Sequence, residues 1–238
     1  MDDLTKKEKR ELAKKSKHEE KVKSKLMGKI IKLGLAVLVL SIISFFGYKG
    51  IKWINTPIDI PADVTMVQDD EWVKGPKEAS VTLIEYADYQ CPACAGYHPI
   101  VRQLAKEFPD DLRVVYRHFP LTTIHANAFS AAKAAEAAGK QGKFWEMHDM
   151  LYERQSQWSE GSAKEKFVEF AQELALDVDK FKEDLDSSQT EERVSVGIAL
   201  GNKTGVNATP TFILDGVMIR PPQDIEQFRA LINQRLGN

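Results

Sequence analysis

Cysteine is scarce: the 238 residues contain two, Cys91 and Cys94. That excludes a framework of structural disulfides, which needs several pairs spread along the chain. No second C-x-x-C exists to complete the usual zinc ligand set, so zinc at these thiols would have to recruit His98 or His125. From residue 71 onward there is no internal repeat, no phosphate-cradling glycine loop and no low-complexity tract. A large net charge is missing as well, since the formal value is −2. The chain as a whole therefore carries no field suited to a polyanion.

The small total conceals an asymmetry. Residues 1–54 hold 14 of the 33 Lys+Arg but 6 of the 35 Asp+Glu, so any nucleic-acid reading would rest on the tail alone. Residues 1–29 mix Lys with Glu and have almost no large apolar side chains, too few to fold independently. Their place ahead of an apolar run predicts contact with an anionic membrane surface, and no nucleic-acid partner is expected. Residues 30–54 read as one transmembrane helix. The stretch 33–48 is free of charge, and Lys32 and Lys49 can snorkel to the interfaces. A long charged segment before the run, and no clean A-x-A site after it, favour a retained signal-anchor over a cleaved leader. The Lys excess predicts a cytoplasmic tail and an extracytoplasmic C-terminal domain. Residues 55–70, with Pro57 and Pro61, read as an extended linker, and 71–238 as the folded domain.

The centre of that domain is the run from Val81 to Phe108. Val81–Tyr86 is β-branched and aromatic, as in a buried strand. Tyr97, Val101, Leu104 and Phe108 recur at helical spacing. Between them stands Cys91-Pro92-Ala93-Cys94. Pro92 suits the first helical position, which places Cys91 at the helix N-terminus, against free N–H groups and the positive end of the dipole. A thiolate is favoured there, so Cys91 should have a lowered pKa. Cys94 lies one turn on, with Cα atoms roughly 5–6 Å apart, a span that a disulfide can bridge. The pair is predicted to be redox-active. Leu112–Phe119 reads as a second strand, residues from about 125 to 205 as helical, and Thr211–Ile219 as a hairpin turning at Asp215-Gly216. A last amphipathic helix carries Ile225, Phe228, Leu231, Ile232 and Leu236.

These features together resemble the DsbA-like thiol–disulfide oxidoreductases, in the branch with a membrane anchor and Cys-Pro-x-Cys. Glu85, six residues before Cys91, matches the family's buried acid. Asp88-Tyr89-Gln90 matches its approach to the cysteines, and Pro99 the proline that kinks the active-site helix. Val206–Phe212 matches the loop in which Thr209-Pro210 forms a cis bond beside the cysteines. The resemblance implies an α/β, thioredoxin-like fold, with a central mixed sheet flanked by helices and a helical insertion at about 122–205. It implies Cys91, Cys94 and Glu85 as catalytic, Thr209 and Pro210 as substrate-binding, and Pro92 and Ala93 as active-site support. Ala93 departs from the Pro-His version of the strongest oxidants and removes one partner for the thiolate. The expected activity is a dithiol oxidase acting on exported proteins with free cysteines. Its reoxidant would be a membrane protein of the DsbB or vitamin-K-epoxide-reductase-like type. No metal or organic cofactor is implied. A reductase or isomerase, and a non-catalytic polypeptide-binding module, remain the alternatives. The histidines at 98, 118, 125 and 148 are expected to be surface or packing residues.

Overall fold

The structure is a computed structural model that describes residues 38–48, 58–60 and 62–237, with Lys23 and Met27. It divides into two units, residues 1–56 and 57–238. In the first, residues 38–48 are helical and exposed. Among the described residues no helix is long and apolar enough to cross a membrane; most of the expected span at 30–54 and of the tail at 1–29 lies outside them.

The second unit is built on a six-stranded mixed sheet. In chain order its elements are β1 (Ile58–Asp59), α1 (Ala62–Thr65), β2 (Trp72–Lys74), β3 (Val81–Ala87), α2 (Pro92–Glu107) and β4 (Leu112–His118). There follow α3 (Ala128–Gly139), α4 (Phe144–Glu153), a 3-10 turn at Gln155–Gln157, α5 (Lys164–Glu173), α6 (Val178–Leu185) and α7 (Ser188–Thr204). The chain ends with β5 (Thr211–Leu214), β6 (Val217–Ile219) and α8 (Ile225–Leu236). The strand order is β1-β6-β5-β3-β4-β2. Only β3 and β4 run parallel, with Glu85 opposite Tyr116 on one side and Phe212 on the other.

Alternation along β3 sorts the core, because successive side chains point to opposite faces. Val81 and Leu83 pack with Val101 and Leu104 of α2 and Phe228 and Ile232 of α8. Ile84 and Tyr86 pack on the other face with Val115, Phe119 and Ile213. Glu85 therefore shares the face of Leu83, beneath α2. Helices α3 to α7 form the insertion between β4 and β5, and α3 to α6 enclose a third apolar cluster that includes both cysteines.

The stretch 58–70, expected as an extended linker, belongs to this unit. Strand β1 pairs with β6, and Ile60 and Val64 are buried. Arg117, itself buried, holds the segment down. Its guanidinium donates to the Val64 carbonyl (2.6 Å), the Met66 carbonyl (3.0 Å) and Glu71. A buried guanidinium needs those acceptors. No periodicity in so short a strand and helix could announce this.

Candidate active site

The site is assembled where β3 ends. Cys91 is the N-cap of α2, with extended backbone (φ −71°, ψ 121°), and Pro92 opens the helix. The chain between strand and helix is locked by Asp88, whose wholly buried carboxylate accepts from the N–H groups of Gln90 (2.7 Å) and Leu121 (2.8 Å). The same carboxylate pairs with His125 Nδ1 at 2.7 Å. Gln90 bridges to the insertion through Ser159 (2.7 Å) and Asn127 (2.7 Å). Gln155 donates to the carbonyls of Tyr89 (2.7 Å) and Cys91 (3.1 Å). The redox loop is thus held by groups 33 to 69 residues away.

Both cysteines are free and buried, Cys94 entirely and Cys91 with 7% exposed. Cys91 is held down at a pKa of about 5, chiefly by the Cys94 thiol donating to it. The Thr209 side chain and the N–H groups of Cys94 and Ala93 add to this, while burial opposes it. As a thiol, Cys91 Sγ donates to the Thr209 carbonyl at 3.4 Å. As a thiolate it gains nothing from that oxygen, and the Thr209 hydroxyl, buried and otherwise unpartnered, becomes the useful neighbour. The Thr209–Pro210 peptide bond is cis, so this loop lies against the cysteine as the resemblance implied. The N–H groups at the helix N-terminus do lower the Cys91 pKa, but the second cysteine is the larger cause.

Cys94 moves the other way. Burial pushes its thiol far up, and the bond to Cys91 and the nearby charges of Glu85 and Cys91 push further. Glu85 is 3% exposed, and burial raises its pKa from the ordinary 4.5 to about 8 with no opposing partner. It looks into a small chamber of about 20 Å³ lined also by Tyr116, His98, His148 and Asp149, room for about one water.

Several contributors carried no local signal. Tyr89, Tyr116 and Tyr152 surround Cys94 and Glu85; Tyr116 and Tyr152 share a hydrogen bond of 2.9 Å, and Tyr89 reaches His148 Nδ1 at 3.1 Å. The four histidines expected as surface or packing residues are each tied to a polar partner. His98 pairs with Asp149 (2.8 Å), His118 with Glu136 (2.9 Å) and His125 with Asp88 (2.7 Å). His148 is held neutral by burial and by the neighbouring His98.

A mixed sheet with β3–α2–β4 at its centre, two vicinal thiols capping α2 and a cis-proline loop across from them define a dithiol domain of the thioredoxin class. The chain belongs to the thioredoxin family: the family described as Thioredoxin matches residues 68–234. Among curated relatives, the Na(+)/H(+) antiporter NhaA 3 of Salinispora tropica is 39% identical over 184 residues, 77% of this chain and 26% of the antiporter. The antiporter NhaA of Herminiimonas arsenicoxydans is 36% identical over 183 residues, 76% of this chain and 28% of that protein. The chain thus spans about a quarter of the length of these relatives. Among solved structures, a thioredoxin-like oxidoreductase from Silicibacter pomeroyi superposes with a TM-score of 0.64 at 27% identity, covering 75% of this chain and 99% of that one. BdbD from Bacillus subtilis gives 0.65 at 22% identity, covering 77% and 98%. A thioredoxin sheet with a helical insertion is therefore the architecture of this chain.

Proposed function

We propose that this protein is a membrane-anchored, extracytoplasmic thiol–disulfide oxidoreductase that works as a dithiol oxidase on exported proteins with free cysteines. The observation that carries the reading is the opposite displacement of two adjacent thiols, Cys91 down to about 5 and Cys94 up. Cys91 is then the exchanging sulfur and a good leaving group, while Cys94 is shielded.

In the forward direction a substrate thiolate attacks Cys91 Sγ of the Cys91–Cys94 disulfide. The S–S bond breaks, and Cys94 leaves as a thiolate that takes up a proton. Glu85, still protonated at neutral pH with its pKa near 8, is placed to supply it. The substrate's second thiolate then attacks the substrate sulfur of the mixed disulfide and expels Cys91 as a stable thiolate. Two electrons have passed to the enzyme. A membrane reoxidant of the DsbB or vitamin-K-epoxide-reductase-like type would remove them. The Thr209-Pro210 loop offers a backbone edge for extended substrate, and Pro92 and Ala93 shape the turn. A reductase or isomerase would use the same atoms in reverse. The depressed Cys91 favours the oxidase, because stabilising the reduced thiolate raises the potential.

Alkylation of the reduced protein at mildly acidic pH tests the assignment. Cys91 should be labelled far faster than Cys94, and Cys94→Ala should accumulate mixed disulfides that vanish on reduction. Cys91→Ala should form none. Equal labelling, or adducts through either cysteine, would overturn the assignment.

A further inference from the structure

We propose that His98, His148 and Asp149 form a binding site for a divalent, zinc-like transition-metal ion at the outer end of the chamber that reaches Glu85.

One donor atom from each of the three residues lies within 4.8 Å of the others. Two imidazoles and one carboxylate form a donor set suited to zinc, nickel or copper(II). Calcium and magnesium, in contrast, take all-oxygen shells. The donors come from two helices, His98 from α2 and His148 and Asp149 from α4, so packing of the fold brings them together. His98 Nε2 and Asp149 Oδ1 are already 2.8 Å apart, a pair in which an ion can replace the shared proton. The Tyr89 hydroxyl holds His148 Nδ1 at 3.1 Å. That fixes the ring as the hydrogen-bond partners of metal-bound histidines do, and leaves the other nitrogen for the ion.

A second observation points into the same space. Glu85 lines the chamber with these three residues, is 97% buried because only 3% is exposed, and has no hydrogen-bond partner among the described residues. The chamber, about 20 Å³, suits one ion or one water. Two cations stand at its rim. Lys74 Nζ rests over the Trp145 ring at 4.6 Å, and Arg102 is turned to Glu153 at 2.5 Å. Arg102 Nη1 also lies 3.9 Å from Asp149 Oδ2, and the Lys74 charge reaches His148 and Asp149, so a bound ion takes over the carboxylate from these cations.

Metal binding here needs neither cysteine and goes beyond the oxidoreductase reading. One consequence rests on that reading: an ion at the outer end closes the water route to Glu85, so the loaded protein should exchange thiols more slowly.

The test uses the full chain carrying Cys91→Ala and Cys94→Ala, which removes thiolate ligands. Zinc affinity is read by competition with a chromogenic chelator, and cobalt(II) by its visible spectrum. One ion per chain is expected, with no thiolate charge-transfer band. Asp149→Asn or His148→Gln should weaken binding by roughly 10–100-fold or more, the loss that removing a ligand's hydrogen-bond partner alone produces. Asp149→Asn is the variant that spares the fold, since its side chain is 30% exposed. Glu226→Gln, exposed on α8 and outside the donor set, should bind as before. Absence of zinc binding to the cysteine-free chain, or equal affinity in all variants, would overturn the site. In the chain with both cysteines, zinc should slow thiol exchange, and Asp149→Asn should relieve that inhibition. Inhibition that persists in Asp149→Asn would overturn the coupling to Glu85. A metal-free protein without thiol exchange would sink the oxidoreductase reading and leave the metal site standing.

Discussion

Glu85 illustrates how one buried group sets both chemistry and stability. It stands in the middle of the sheet, between Tyr116 and Phe212, where a charged carboxylate has no partner to compensate lost hydration. Its folded pKa near 8, against an ordinary 4.5, fixes the sign of its effect. Between those values the folded protein keeps a proton that the unfolded chain has lost, so stability falls as pH rises across that window. The full penalty, reached above pH 8, is about 3–5 kcal/mol by linkage. Glu85→Gln should therefore stabilise the protein by up to that amount at pH 9 and by almost nothing at pH 4, read from denaturant midpoints. A gain independent of pH would show that the carboxyl is not the cause. The same substitution should slow release of Cys94, because an amide has no acidic proton to give.

At the scale of elements, α7 must lie unusually close to the end of β4. A Cβ on Gly197 would sit 2.6 Å from the His118 carbonyl oxygen and 3.0 Å from its nitrogen, and backbone on a central strand cannot yield. Gly197→Ala should cost about 1–3 kcal/mol, as overpacking does. Gly96, exposed in α2 with nothing within 4 Å, should respond oppositely, Gly96→Ala gaining roughly 0.5–1 kcal/mol from helix propensity. Two denaturation curves decide the matter, and equal signs would refute the close-packing argument. Neither glycine announced its role, since proximity to β4 arises only once the insertion has folded back. What was legible was local. Pro92 opening a helix after Cys91, Asp215-Gly216 turning the hairpin, and the pattern of α8 are each decided by neighbours in the chain. The His125–Asp88 pair, the Gln155 clamp and the tyrosines around Cys94 join residues far apart in sequence, so no window contains them. Segment 58–70 carries no local signal for a related reason: its order is imposed by Arg117 from β4 and by the edge of β6.

For the whole molecule, the Lys-rich tail and apolar run predict that an impermeant protease added to intact cells removes the thioredoxin-fold unit and spares the tail; a protected unit would sink the oxidase reading. The redox state should also set global stability. Forming Cys91–Cys94 closes a loop of only four residues, worth about 2 kcal/mol in the chain-entropy account. Reduction replaces that link by a thiolate held at a pKa of about 5 against an ordinary 9. A folded pKa lowered in this way contributes stability that is complete above pH 9 and lost as pH falls through 5. At pH 7 it amounts to about 3 kcal/mol, equivalent to about 60 mV in a two-electron couple. The two effects therefore nearly balance at neutral pH and part on either side. Reduced protein should be the more stable form at pH 8, and oxidised protein the more stable near pH 5. Denaturation of both forms across this range checks the claim. In Cys91→Ala, which has neither the link nor the thiolate, the Cys91 part of the slope should disappear and only the contributions common to all forms, those of Glu85 and His148 among them, should remain. A stability difference between oxidised and reduced protein that does not change with pH would mean that the Cys91 thiolate is not what stores the oxidising power of the pair.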